Sequence, residues 1–352
     1  MKRPRRRHGS RALVAVFSLA AVLVALGVAG GGLFFYGRNQ LDPPDGDHSR
    51  VVEVIVRADE SADDVIAELD SKHLIRSRFW FSLYARYKGL SSHLHPGQYR
   101  LDGGMGATAI ISRLEGEPDV ATRRLVLAEG LTAAEMAAKV EAADIGVSAA
   151  SYLAEVSAGN FPEEAFLAAR PPKASIEGFL FPDTYDLPAT GLTAHALVKM
   201  QLDTFRTKAG PLLGSPPASL TGYQLLTLAS VVEREAKFDE DRPLVAGVLV
   251  NRLNAGIPLQ VDASVNYGNG VSGRAPTADE LARDTPYNTY IHLGLPPTPI
   301  ANPGVKSLQA AAHPAATQYL FYVSDGCGHN HYSTTAAEHD RLVQQYLGKP
   351  CT

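Results

Sequence analysis

Apolar and polar residues alternate along this chain in short blocks that predict both strands and amphipathic helices. Val51-Val-Glu-Val-Ile-Val56 reads as a strand, rich in β-branched residues. Ser61 stands three residues before Asp64, a capping box, and Val65, Ile66 and Leu69 then recur at helical spacing. A helix over about 77–88, a strand in His95-Pro-Gly-Gln-Tyr-Arg-Leu101 and a helix from Gly106 to Leu114 complete a small α+β module. A second unit starts near Thr122 with a strand at Leu125-Val-Leu127 and a capping box at Thr132 and Glu135. A helix-rich region to about 215 follows, then a strongly apolar helix over about 221–236 and another over 242–254 closed by Gly256. Tyr319-Leu-Phe-Tyr-Val323 predicts a strand and 335–347 a final helix, so the fold class is α+β, without internal repeats.

One stretch follows neither period. Residues 284–304 combine two tyrosines, two asparagines and five prolines. Each proline fixes its own φ and restricts the residue before it, so the segment is stiff although it buries little of its own. A rigid, polar, aromatic loop in a folded domain shapes a binding cleft. Its tyrosine rings suit the C–H faces of sugars, and its amides suit hydroxyls.

Charge changes the picture at the N-terminus. Residues 1–11 carry six Lys or Arg and no acid, which leaves 27 basic and 37 acidic side chains for the rest. A body with that acidic excess lacks the basic face that nucleic acid requires. Residues 12–37 are uncharged and rich in Leu, Val, Ala and Phe, enough for a single transmembrane helix. The preceding basic cluster predicts a cytoplasmic tail (1–11), with everything after the span outside the inner (cytoplasmic) membrane. A cleaved signal peptide is the alternative, with Ala-Leu-Gly-Val-Ala before Gly30 as the cleavable stretch, but its apolar region is normally shorter. Residues 38–50 read as a linker, 51–118 as the small module and 119–352 as the larger domain.

Two cysteines, Cys327 and Cys351, pair or stay free; nothing local decides between these. No Cys/His group has metal-ligand spacing, and His329 and His331 read as part of a Gly-rich surface turn, so neither metal nor cofactor is expected.

Candidate chemistry gathers around the apolar helix. Glu233 lies near its end on a face that is otherwise apolar or small, where desolvation favours the protonated acid. The bland alternative is a solvated helix end with Glu233 paired to Lys237 at i,i+4. Gln260 and Asp262 follow a buried-looking helix, and Glu177 precedes a dense aromatic turn; each alone could be a cap or turn former.

Five motifs in order resemble the YceG-like endolytic murein transglycosylases: Leu228-Ala-Ser-Val-Val-Glu-Arg-Glu235, Asn251-Arg-Leu253, Leu259-Gln-Val-Asp-Ala-Ser-Val-Asn-Tyr-Gly268, Thr285-Pro-Tyr-Asn-Thr-Tyr290 and Gly294-Leu-Pro-Pro-Thr-Pro-Ile-Ala-Asn-Pro-Gly304. Glu177-Gly-Phe-Leu-Phe-Pro-Asp-Thr-Tyr185 and the basic-flanked apolar segment match as well, and 51–118 is similar to the family's LysM-like module. The chain departs from the family at Asp262-Ala-Ser, where Asp-Pro-Thr is usual, and at Asn330, where a histidine is usual.

The resemblance implies a single catalytic acid at the first glutamate of Val-Glu-Arg-Glu, here Glu233, with Glu235 on another face and structural. It implies cleavage between N-acetylmuramic acid and N-acetylglucosamine in nascent peptidoglycan, leaving 1,6-anhydro ends, near penicillin-binding-type synthases. Gln260, Asp262, Tyr287, Asn288, Tyr290 and Glu177 would hold the sugars. The rivals are a hydrolase of the same bond, in which Asp262 or Glu177 activates water, and a non-catalytic wall-binding scaffold.

Overall fold

The computed structural model describes residues 26–57, 60–90, 94–120, 122–188, 191–217 and 220–350. The first of these form a helix, α1 (26–39). Residues 1–25, which hold the basic tail and most of the expected span, lie outside the described residues. Among the described residues no helix is long and apolar enough to cross a membrane.

The chain divides into two compact units, 1–122 and 123–352. In the first, β1 (Val51–Val56) pairs antiparallel with β2 (Gly97–Asp102), Val54 opposite Tyr99. Alternate strand residues point to one face, and Val54, Val56, Tyr99 and Leu101 are buried there. Helices α2 (Ala62–Ser71), α3 (Arg78–Lys88) and α4 (Ala107–Leu114) cover that face with Ile66, Leu69, Phe81, Ile110 and Leu114. The capping box forms as its spacing predicts: Ser61 Oγ accepts from Asp64 N, and the Asp64 carboxylate accepts from Ser61 N.

The second unit begins with β3 (Thr122–Val126) and its partner β4 (Thr184–Pro188). Between them lie α5 (Ala133–Ala142), opened by the Thr132–Glu135 capping box, and α6 (Ala149–Ala158). Then follow α7 (Ala194–Lys208), α8 (Gly222–Glu235), α9 (Arg242–Ala255), α10 (Asp262–Gly268), α11 (Ala278–Ala282) and α12 (Val305–Ala312). The hairpin of β5 (Phe321–Ser324) and β6 (Asn330–Ser333), with Tyr322 opposite Tyr332, and α13 (Ala336–Tyr346) close the unit. Helix α8 is its axis, with every residue from Leu225 to Val232 buried against α9 and α12.

Two sequence expectations change here. The stretch from Asp262, a residue read as a possible cap or turn former, is a helix, and the Gly-rich turn around Asn330 is half strand. The Pro-rich loop also buries more than expected: Asn288, Thr289, Ile300, Ala301 and Asn302 are all buried. Its stiffness therefore comes from buried hydrogen bonds as well as from proline. Thr289 Oγ1 accepts from Val261 N at 2.9 Å, Ile300 N donates to Ser230 Oγ at 3.0 Å, and Asn302 N donates to Leu131 O at 2.9 Å.

Candidate active site

The two glutamates that end α8 enter different surroundings, because residues two apart on a helix face directions about 200° apart. Oε1 of Glu233 accepts from Arg242 Nη1 at 3.1 Å and its Oε2 from Gly304 N at 2.9 Å. Both partners are largely buried, and Arg242 also binds Asp239 and Ser307. The expected i,i+4 partner, Lys237, instead donates to Cys327 O. The loop at Glu129 and Gly130 passes over this ion pair: a Cβ on Gly130 would stand 3.5 Å from Glu233 Cγ, and one on Gly304 only 1.8 Å from Glu129 Oε1. Desolvation first and the Glu233 charge second push the Glu129 carboxyl above the usual range. Both Glu233 oxygens thus already accept charge-assisted or backbone hydrogen bonds.

Glu235 lines a cleft of about 510 Å³ with Gln260, Asp262, Tyr290, Arg252, Tyr322 and His339. Leu259, Phe321, Val343 and Leu347 form its apolar walls. Tyr322 Oη donates to Glu235 Oε2 at 2.9 Å. Desolvation raises the Glu235 pKa; the Tyr322 bond opposes this, and the Asp262 charge adds to it. Asp262, first residue of α10, accepts from Tyr290 Oη at 2.7 Å.

Arg252 fixes one wall. Its guanidinium donates to Pro258 O and Leu320 O, each at 2.8 Å, and to Gln260 Oε1. Gln260 is held at φ 55°, a left-handed conformation uncommon for a non-glycine residue and concentrated at functional sites. His339 lies against Phe321 with ring centroids 5.2 Å apart, its buried Nδ1 lacks a hydrogen-bond partner, and desolvation lowers its pKa.

Three expected sugar ligands, Gln260, Asp262 and Tyr290, therefore stand together, beside Glu235 and not beside Glu233. The other three are employed elsewhere. Asn288 is fully buried; its amide donates to Leu281 O and Arg283 O while its Oδ1 accepts from Tyr290 N, so it builds the loop that carries Tyr290. Tyr287 pairs with Thr298 at 2.8 Å and lies against the Tyr267 ring. Glu177 is buried, accepting from Ala133 N at 2.9 Å and Asn302 Nδ2 at 2.8 Å; desolvation raises its pKa to about 7. It borders a separate cleft, with Tyr267 and Glu135.

Sequence reasoning read Glu235 as structural, placed Arg252 only within a motif and Tyr322 only within a strand, and gave His339 no role. The available signal was the half-turn offset of Glu235 from Glu233 and the alternation in Phe321-Tyr-Val, which sets Tyr322 apart from its neighbours. Cys327 is disulfide-bonded, and the chain's other cysteine, Cys351, lies outside the described residues.

The model of the YceG-like family matches residues 54–345. An endolytic murein transglycosylase of Bacillus subtilis is 31% identical over 333 residues, covering 90% of this chain and 91% of that protein. Its namesake in Streptococcus pneumoniae D39 is 29% identical over 94% of this chain and 65% of its own length. The crystal structure of a YceG-like protein from Listeria monocytogenes superposes with a TM-score of 0.55 at 29% identity, covering 83% of this chain and 99% of that one. With a family match running through both units, this chain belongs to the YceG-like family.

Proposed function

We propose that this protein is an endolytic peptidoglycan lytic transglycosylase whose catalytic acid is Glu235. The observation that carries this reading is the cleft that gathers Glu235, Gln260, Asp262 and Tyr290. The names of the B. subtilis and S. pneumoniae relatives support the activity.

Glu235 is suited to the acid's task and Glu233 to a structural one. A proton donor must be protonated near neutral pH, and desolvation moves Glu235 in that direction. Glu233 instead satisfies Arg242 and the N-terminal amide end of α12. On this reading the two glutamates exchange the roles that the resemblance implies.

The reaction follows from one carboxyl group. Protonated Glu235 gives its proton to the glycosidic oxygen between N-acetylmuramic acid and N-acetylglucosamine as that bond breaks. The resulting carboxylate takes the proton of the muramic acid C6 hydroxyl, whose oxygen closes on C1 to form the 1,6-anhydro ring. Water is not consumed and Glu235 ends protonated again. Arg252 and Gln260 stiffen one wall, Asp262 and Tyr290 offer polar contacts to hydroxyls, and Phe321 and Leu259 offer apolar ones to ring faces. Asp262 is also the second carboxylate that a hydrolase would need, which is the specific ground for keeping that reading.

The uncharged run at 12–37, with its basic flank, supports a single-pass anchor that holds the catalytic unit outside the cytoplasmic membrane, where nascent strands are polymerised by penicillin-binding-type synthases. The module at 51–118, LysM-like by resemblance, would hold glycan.

Mass spectrometry of digested glycan strands tests the activity. Products one water lighter than reducing-end forms, made by the native protein and by Glu233→Gln but not by Glu235→Gln, would support both the transglycosylase and its acid. Reducing ends would overturn the first, and loss with Glu233→Gln alone would overturn the second.

A further inference from the structure

The first unit carries an apolar surface that its own core does not use. On α3, Phe81 and Ala85 point inward, whereas Phe79, Leu83 and Tyr87 recur every fourth residue on the outer face, 69%, 54% and 84% exposed. Contiguous exposed apolar patches of this kind mark interaction surfaces. The patch continues onto α1, where Leu33, Phe34, Phe35 and Tyr36 are exposed. Trp80 joins the two helices: its ring meets Tyr36 edge-on at 6.2 Å, and a Cβ on Gly37 would lie 2.7 Å from it. Between them opens a groove of about 910 Å³ lined by Phe34, Leu41, Trp80, Leu83, Tyr84 and Tyr87.

We propose that this face of α1 and α3 seats in the headgroup region of a phospholipid bilayer. Three observations commit it to that occupant. Aromatic residues dominate, and Phe, Trp and Tyr are the side chains that collect at membrane–water boundaries. Exposed Arg38, Arg78, Arg86 and Lys88 rim the patch and suit anionic headgroups; the nearby acids are Asp42, in the groove, and Asp63, which pairs with Arg86 at 3.3 Å. Finally, Leu33, Phe34, Phe35 and Tyr36 end the uncharged run 12–37 proposed as anchor, a run longer than the roughly 20 residues a span needs, so the face continues from the boundary end of that segment. The inference rests on that anchor for the location of the face, not for its chemistry. Its consequence is a defined orientation: the first unit would lie on the bilayer instead of swinging at the end of the linker.

The chain's single tryptophan, Trp80, reports on the patch directly. Full-length protein is reconstituted in phosphatidylcholine–phosphatidylglycerol vesicles containing lipids brominated at shallow or deep acyl positions. Shallow bromines should quench Trp80 more than deep ones. The triple substitution Phe79→Ser, Leu83→Ser, Tyr87→Ser should cut that quenching by roughly threefold or more while leaving circular dichroism unchanged, because all three residues are exposed. Absent quenching in the native protein, or equal quenching in both proteins, would overturn the proposal. So would cross-linking between copies through α3, which would assign the face to a second protein molecule. Resistance to carbonate extraction reads the anchor separately: a chain that resists extraction yet shows unquenched Trp80 overturns the seat alone, and a quenched Trp80 in an extractable chain overturns the anchor alone.

Discussion

Tyr322 donates its hydroxyl to Oε2 of Glu235 across 2.9 Å, tying strand β5 to the last turn of α8. Desolvation first and the Glu235 charge second push the tyrosine pKa well above its usual value, so it remains a donor at any working pH. A short, fixed donor of this kind orients a carboxyl group before substrate arrives. Glu233, two residues back, is oriented just as firmly, but by a guanidinium and a backbone amide.

The first prediction separates the two glutamates. Glu235→Gln should lower kcat on the order of 10²–10⁴-fold, the usual worth of general acid–base catalysis, with little change in melting temperature. Glu233→Gln should do the reverse. It leaves Arg242 largely buried with Asp239 as its remaining acidic partner, at a cost of about 1–3 kcal/mol in stability, while turnover per folded molecule stays within about tenfold. Glycan turnover and thermal unfolding on the same preparations check both halves.

A second prediction concerns pH. If Glu235 must be protonated, activity falls as pH rises through its pKa, so that pKa sets the alkaline limb of kcat/KM. The Tyr322 bond lowers this pKa and the Asp262 charge raises it. Tyr322→Phe should therefore move the alkaline limb to higher pH and Asp262→Asn to lower pH. Shifts of opposite sign are hard to produce by general damage to the cleft.

How much of this was legible in the sequence depended on range. Capping boxes at Ser61 and Thr132 and the closing Gly256 are written within a few residues of each other, and they formed where their spacing placed them. Gln260, Asp262 and Tyr290 are named as sugar ligands, together with Tyr287, Asn288 and Glu177, only through the motifs that resemble the family's. Which glutamate joins them could not be read, since it depends on the rotational phase of α8 against β5, 87 residues later in the chain. Arg242, nine residues beyond Glu233, likewise becomes its partner only through the turn between α8 and α9. That Asn288 is buried and bonded within its own loop could not be read either, because exposed and buried polar residues read alike in a proline-rich loop.

Glu177 supplies a third prediction, for stability. Its pKa is raised from 4.5 to about 7, chiefly by desolvation. Between those values the unfolded chain is ionised while the folded chain keeps its proton. Folding therefore binds a proton there, and stability falls as pH rises from about 4.5 to about 7, by up to about 3 kcal/mol. Glu177→Gln cannot ionise and should lack this component. Melting temperatures from pH 5 to 8 should decline in the native protein relative to the variant; parallel curves would refute the assignment.

Asn302 carries the last prediction, because it is the buried junction between the Glu177 turn and the Pro-rich loop. Its Oδ1 accepts from Gly178 N at 2.8 Å and Leu180 N at 3.1 Å, while its Nδ2 donates to Leu131 O at 3.0 Å and Glu177 Oε1 at 2.8 Å. Asn302→Ala leaves these buried groups short of a partner, and each costs about 1–3 kcal/mol when orphaned, so a loss of several kcal/mol is expected. Asn302→Asp keeps the two acceptor bonds but sets a second carboxylate against Glu177 and removes the donor to Leu131. Low pH, which protonates one of the pair, should restore Asn302→Asp beyond the gain that Glu177 gives every variant that keeps it. The effect reaches the catalytic unit through Gly130, whose amide donates to Asn302 O at 2.9 Å and which lies over Glu233. Either substitution should therefore loosen the Glu233–Arg242 pair before it touches the Glu235 cleft, and denaturant unfolding with glycan turnover on the same variants would order the two losses.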